Sequence, residues 1–184
     1  MAIVFGRPGA GKTTIANEVI PLFSEENGSV IGIDLDVYVP QWMKDNFVKG
    51  IYPTEEQRQE FAVGACDQIE IQLDEQRPTA CVVSFSFVNA DLRNVFRSRF
   101  PHAIWALVST TEEEAKQRIA QREGHFYKGT PSKLLKEDHD KVSRSDLSEW
   151  DFAPVTFPHV ILPGIDSIQN NAQRVSDLLN AEIS

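Results

Sequence analysis

A strand-sized apolar run, Ala2 to Phe5, leads straight into Gly6-Arg7-Pro8-Gly9-Ala10-Gly11-Lys12-Thr13, a complete GxxxxGK[ST] loop. No other feature restricts the fold as much, because such a loop works between the carboxyl end of a strand and the start of a helix. Its glycines let the backbone curl until successive N–H groups point inward at phosphate oxygens, and the helix behind it adds its positive end. Ile15, Ala16, Val19, Ile20 and Phe23 recur at helical spacing over Thr13–Phe23, so the required helix is in place. Gly6, Gly9, Ala10, Gly11, Lys12, Thr13 and Thr14 are the candidate nucleotide-phosphate contacts. Lys12 would reach the β- and γ-phosphates and Thr13 would ligate Mg²⁺. The alternative is a glycine-rich turn that binds nothing.

Strand patterns recur at Ala2–Phe5, Ser29–Ile33, Ala80–Phe87, His102–Val108 and His159–Leu162, with helical patterns between them. Thr54–Gln76 carries Phe61, Ala65, Ile69 and Leu73 at four-residue spacing. Thr111-Glu112-Glu113-Glu114 is a capping box opening a helix through Arg122, and Asp166–Ala181 closes the chain. Such βα alternation predicts an α/β fold of three layers, a five-stranded parallel sheet with helices on both faces. With 184 residues, 41% of them hydrophobic, the chain suits a single domain over 1–184. Gly124–Pro154 is polar and poor in apolar anchors, and reads as a mobile lid at about 123–154.

A formal net charge of −9 argues against nucleic acid as a partner, since a phosphate backbone demands a concentrated cationic face. No stretch approaches membrane-spanning length. Cys66 and Cys81 form no CxxC spacing and are expected as reduced, half-buried thiols, which suits a cytoplasmic protein. His102, His125, His139 and His159 are scattered without metal-ligand spacing.

In a parallel sheet ligands gather at the carboxyl ends of the strands. The second strand ends in Ile33-Asp34-Leu35-Asp36, two carboxylates at the rim where a phosphoryl acceptor would lie. One can take the acceptor's hydroxyl proton while the other organises water around Mg²⁺; which does which is open, and the plainer reading is a pair of turn aspartates. The third strand ends in Ser84-Phe85-Ser86 with no acid, which argues against a motor or a GTPase. Arg118 and Arg122 lie one turn apart and face the lid, where they can clamp ATP phosphates or stack on adenine. Arg58 and Arg93, each on a predicted helix, are candidates for gripping an anionic substrate; exposed helical arginine is the ordinary alternative.

Taken together, these residues resemble the gluconate kinase family, within the shikimate-kinase-like branch of P-loop small-molecule kinases. Arg118-Ile119-Ala120-Gln121-Arg122-Glu123-Gly124-His125-Phe126-Tyr127-Lys128 is similar to that family's arginine pair followed by Gly-His-Phe-aromatic. Asp34-Leu35-Asp36, the run from Gly50 to Arg58, and Ser86 with Arg93 and Arg97 follow in the family's order, so the resemblance spans roughly residues 1 to 128. It implies ATP and Mg²⁺ as cofactors, Asp34 or Asp36 at the acceptor hydroxyl, and Arg58, Ser86 and Arg93 toward a sugar acid. Arg118 and Arg122 would lie on ATP and His125 on the lid side of the pocket; a homodimer is also implied. Val88, Asn89 and Ala90 stand where the family places lysines, which lowers the positive charge near the acceptor. The expected activity is ATP- and Mg²⁺-dependent phosphorylation of a small, anionic metabolite, with gluconate the leading acceptor. Shikimate, a nucleoside or nucleotide, or a polyol are alternatives of the same chemistry, and a non-catalytic ATP-binding regulatory module is the alternative of another class.

Overall fold

The computed structural model describes residues 1–23, 28–121, 127 and 151–183. Five apolar segments form strands β1 (Ala2–Gly6), β2 (Val30–Asp34), β3 (Ala80–Phe85), β4 (Ile104–Ser109) and β5 (Val160–Pro163). They hydrogen-bond in the order β2-β3-β1-β4-β5, every pair parallel, as the alternation predicts. Side chains alternate across a strand, and here both faces are covered. Ile3, Phe5, Cys81 and Val83 join one core with Phe61, Ile69 and Phe96, whereas Ala2, Val4, Ala80 and Val82 join the other with Ile15, Val19, Val175 and Leu179.

Among the described residues the helices are α1 (Lys12–Leu22), α2 (Gln41–Val48), α3 (Glu55–Gln76), α4 (Ala90–Arg99), α5 (Glu112–Gln121) and α6 (Ile168–Ile183), with a 3-10 turn at Leu35–Tyr38. The Thr111 box forms: Glu114 N–H donates to Thr111 Oγ1 at 3.2 Å and Thr111 N–H to Glu114 at 3.2 Å. A second box caps α3, where Thr54 and Gln57 satisfy each other's backbone N–H groups. β3 ends two residues before the sequence pattern does, because Phe87 turns to φ 48°, outside the extended region.

Most of the expected lid, 123–154, lies outside the described residues. Its last residues, 151–154, are described. Phe152 stacks at 6.4 Å on Phe5 in the core, and Ala153 N–H donates to Val88 O at 2.9 Å, so apolar anchors and backbone bonds hold 151–154 against the sheet. Cys66 and Cys81 are free and fully buried rather than half-buried, and burial pushes both thiols up to about 12, which keeps them unreactive. No described helix is long and apolar enough to cross a membrane.

The topology fixes where a ligand can sit. After β1 the chain enters α1, whose Ile15, Ala16 and Val19 pack on one face. After β3 it enters α4, whose Leu92 and Phe96 pack on the other. Because β1 and β3 are neighbours whose connections diverge, a crevice opens at their carboxyl ends.

Candidate active site

The glycine loop occupies the β1 side of that crevice. Gly9 has φ +83°, and a Cβ there would lie 2.6 Å from the Ala115 carbonyl of α5, so only glycine lets the loop pass beneath that helix. Gly11 N-caps α1 at φ +92°, and no atom lies within 4 Å of where its Cβ would be. The backbone is curled and the space above it is open, which fits a phosphate group. Lys12 is 8% exposed, and its ammonium donates to Arg7 O at 2.9 Å, a carbonyl of the loop itself. Arg118 reaches back from α5 to Ala10 O at 3.5 Å, which puts it over the same loop. Gly6 and Ala10 shape the turn from behind: a Cβ on Gly6 would lie 2.7 Å from Val108 O, and Ala10 is buried in the core.

β2 delivers its carboxylate to the first turn of α1. Thr13 Oγ1 donates to Asp34 Oδ2 at 3.2 Å, the Asp36 N–H donates to Asp34 Oδ1 at 3.0 Å, and the Ser84 hydroxyl lies 3.5 Å from Thr13 Oγ1. Burial, with a smaller push from the Asp36 charge, raises the Asp34 pKa; the Asp36 N–H, the Thr13 hydroxyl and Lys12 oppose the shift. Among the described residues no group of three His, Cys, Asp or Glu could enclose a metal. A hydroxyl and one carboxylate beside a phosphate cradle instead suit a Mg²⁺ ion that keeps water and takes phosphate oxygens for the rest of its shell.

The raised pKa has a sign that can be tested. Between the unfolded-state value and the raised folded-state one the folded protein still binds a proton that the unfolded chain has released, so stability contributed at this site falls as pH rises through the folded-state value. Asp34→Asn is therefore expected to raise the melting temperature of the ligand-free protein, and the difference from wild type should widen from pH 4 to pH 8. Phosphoryl transfer should fall on the order of a hundredfold. Thermal melts across that pH range, together with kinetics, check both; a destabilised variant at pH 8 would contradict the electrostatic account.

A cavity of about 260 Å³ continues from the loop into the crevice. Gly9, Gly11, Lys12, Thr13, Thr14, Asp34, Asp36, Arg58, Ser86 and Arg118 all line it, so the structure brings most of the expected site residues together. Arg58 is 7% exposed and already paired: its Nε donates to Asp91 Oδ2 at 2.8 Å and its Nη1 to Pro53 O at 2.7 Å. Arg93 is not brought to the cavity. It is 1% exposed, with its guanidinium donating to the carbonyls of Phe87, Val88, Ala153 and Pro154. Its spacing from Ser86 resembles a substrate arginine, but its donors are spent on the backbone. Arg122 and His125 lie outside the described residues. Sequence reasoning missed the ring-bearing wall of Phe47, Tyr52, Phe61, Phe85, Phe87 and Tyr127. The aromatic Tyr52 just ahead of the capped helix at Thr54 was the available signal.

The sequence matches the AAA domain family over residues 1–145, a range that includes the loop, Thr13 and Asp34. The chain belongs to that family. No curated protein sequence matches it. Among solved structures, this AAA domain is similar to an unliganded sugar kinase from Janibacter sp., 21% identical with a TM-score of 0.69, covering 100% of this chain and 94% of that one. It is also similar to a gluconokinase from Sinorhizobium meliloti, at 18% identity and TM-score 0.65, covering 98% and 96%. A third is the Mycobacterium tuberculosis APS kinase in complex with AMPPNP and APS, at 18% identity and TM-score 0.64, covering 97% and 96%. At such identities the likeness is one of fold, and the AAA domain has the P-loop kinase fold with its five parallel strands.

Proposed function

We propose that this AAA domain is an ATP- and Mg²⁺-dependent phosphotransferase acting on a hydroxyl of a small molecule. The observation that carries the reading is the meeting of Lys12, the Thr13–Asp34 pair and Asp36 at one end of a single cavity. ATP, when bound, supplies the γ-phosphoryl group, and Mg²⁺ neutralises its charge. Lys12 exchanges the Arg7 carbonyl for phosphate oxygens, and Thr13 and Asp34 hold the metal side. Asp36, which lines the same cavity, takes the proton of the acceptor hydroxyl, and Arg118 steadies charge on the transferring oxygens. That a protein of the same fold holds AMPPNP and APS together supports a nucleotide and an acceptor sharing one crevice.

A sugar acid as acceptor draws support from the gluconate-kinase resemblance and from the Sinorhizobium gluconokinase. A regulatory module would have no use for a carboxylate at the acceptor end, and Asp36 there favours transfer. Coupled ADP release from ATP and Mg²⁺, across gluconate, other sugar acids, shikimate, polyols and nucleosides, tests the proposal. At least one acceptor should raise release on the order of tenfold or more over the acceptor-free rate. Tight ATP binding with no stimulation by any acceptor would overturn transfer in favour of the regulatory module.

A further inference from the structure

The cavity that holds Asp34 and Asp36 also has an apolar lining. Among the described residues Met43, Phe47, Tyr52, Phe61, Phe85 and Tyr127 contribute to its wall. The Phe47 ring meets those of Tyr52 and Tyr127 edge-on, each at 5.7 Å, and Phe61 meets Phe85 at 5.4 Å. Tyr52 and Arg58 on this wall have polar groups engaged within the protein. Tyr52 donates its hydroxyl proton to Asn89 Oδ1 at 2.7 Å, and Arg58, its guanidinium 5.7 Å over the Tyr52 ring, is balanced by Asp91 at 2.8 Å.

Such a wall discriminates by chemistry. Among the described residues of the acceptor wall, an anionic acceptor would find an arginine already paired with Asp91, with two carboxylates lining the same cavity. A polyol would give up its water hydrogen bonds, hydroxyl by hydroxyl, to ring carbon that returns none. A molecule with one hydroxyl at the carboxylate end and a flat ring behind it loses nothing comparable and gains edge-to-face contacts.

We infer that the acceptor is an uncharged alcohol carried on an aromatic or heteroaromatic ring, its hydroxyl at Asp36 and its ring among Phe47, Tyr52, Phe85 and Tyr127. The inference rests on the phosphotransfer reading above and sets a different acceptor class against the sugar acid that the resemblance suggests. In the transfer, the bond from the hydroxyl oxygen to the γ-phosphorus forms, the bond from that phosphorus to the β-phosphate oxygen breaks, the proton passes to Asp36 and ADP leaves.

Calorimetric titration of the protein saturated with AMPPNP and Mg²⁺ tests binding apart from turnover, and ADP release with ATP is run on the same compounds. The probes are thymidine and adenosine for a nucleoside, benzyl alcohol and 2-phenylethanol for an aryl alcohol, and gluconate and sorbitol for the polar class. At least one ring-bearing alcohol should bind roughly tenfold or more tightly than gluconate and should stimulate ADP release. Which pair responds separates the nucleoside from the aryl alcohol. Gluconate binding as tightly and releasing ADP overturns the ring inference and leaves phosphotransfer standing. Ring compounds that bind with no ADP release overturn phosphotransfer, and the acceptor assignment with it. Phe47→Ala should weaken ring binding by about tenfold, and Phe47→Leu, which keeps apolar bulk, by less. Unchanged ring affinity in both variants, each shown to melt cooperatively, would overturn the placement.

Discussion

Lys12→Ala is expected to lower kcat/KM for phosphoryl transfer on the order of a hundredfold or more, a loss of about 3 kcal/mol of transition-state stabilisation. Lys12 stands behind the curled backbone of Gly9 and Gly11, 8% exposed, and its ammonium is held at 2.9 Å by the Arg7 carbonyl of its own loop. A charge so placed needs little reorganisation to meet a phosphate oxygen, and in a site screened from water it contributes far more than an exposed lysine would. Removing the side chain takes away a buried cation as well as a catalytic one, so the melting temperature should move little. Lys12→Arg should not restore turnover, because a planar guanidinium does not fit a position shaped for a compact ammonium. Single-turnover and steady-state kinetics of both variants decide this; full turnover in Lys12→Ala would remove the proposed mechanism.

Arg93→Met is expected to destabilise the fold by about 3 to 5 kcal/mol, a large share of what a domain of this size possesses. The side chain is among the most deeply buried in the protein. Its Nε donates to Phe87 O at 2.7 Å, its Nη1 to Ala153 O and Pro154 O at 2.9 and 3.0 Å, and its Nη2 to Val88 O at 3.0 Å. Burial pushes the guanidinium down to about 10, with the Asp91 charge opposing, so it remains a cation at neutral pH. The variant strands those carbonyls, at about 1 to 3 kcal/mol for each one that water cannot reach. It also frees the left-handed Phe87 turn and the 151–154 strap that the guanidinium ties together. Because Phe87 and Val88 line the cavity, activity should fall with stability. Lysine should rescue little, since one ammonium cannot replace a fork aimed at carbonyls from two segments. Urea unfolding measures the loss. A variant that melts like wild type and differs only by a raised KM would instead make Arg93 a substrate contact.

The fate of the arginines shows which features could be read without coordinates. Arg58 and Arg93 have the same standing in the sequence, cations on predicted helices at family-like spacing. One lines the cavity already paired with Asp91; the other is enclosed by carbonyls of Phe87 and Val88 beside it and of Ala153 and Pro154, which begin sixty residues further along the chain. Neither outcome has a local signature. By contrast, Thr111 with Glu114 and the Gly9–Thr13 loop act over a few residues, and both stand as the sequence implies. Asp34 lies between these cases. Its place at the end of β2 follows from the strand pattern, but its approach to Thr13 depends on α1 starting two strands away across β3.

The sequence by itself determined the alternation of strands and helices, the caps, the phosphate loop and the pair of aspartates at a strand end. Each is set by steric and hydrogen-bonding preferences over a few neighbouring residues, which hold wherever the segment finds itself. Tertiary structure alone decided the ring-bearing wall of the cavity, the pairing of Arg58 with Asp91 and the enclosure of Arg93 by backbone carbonyls. Those depend on which distant segments the parallel sheet brings to the crevice between β1 and β3, and burial and charge balance are properties of that meeting rather than of any one segment.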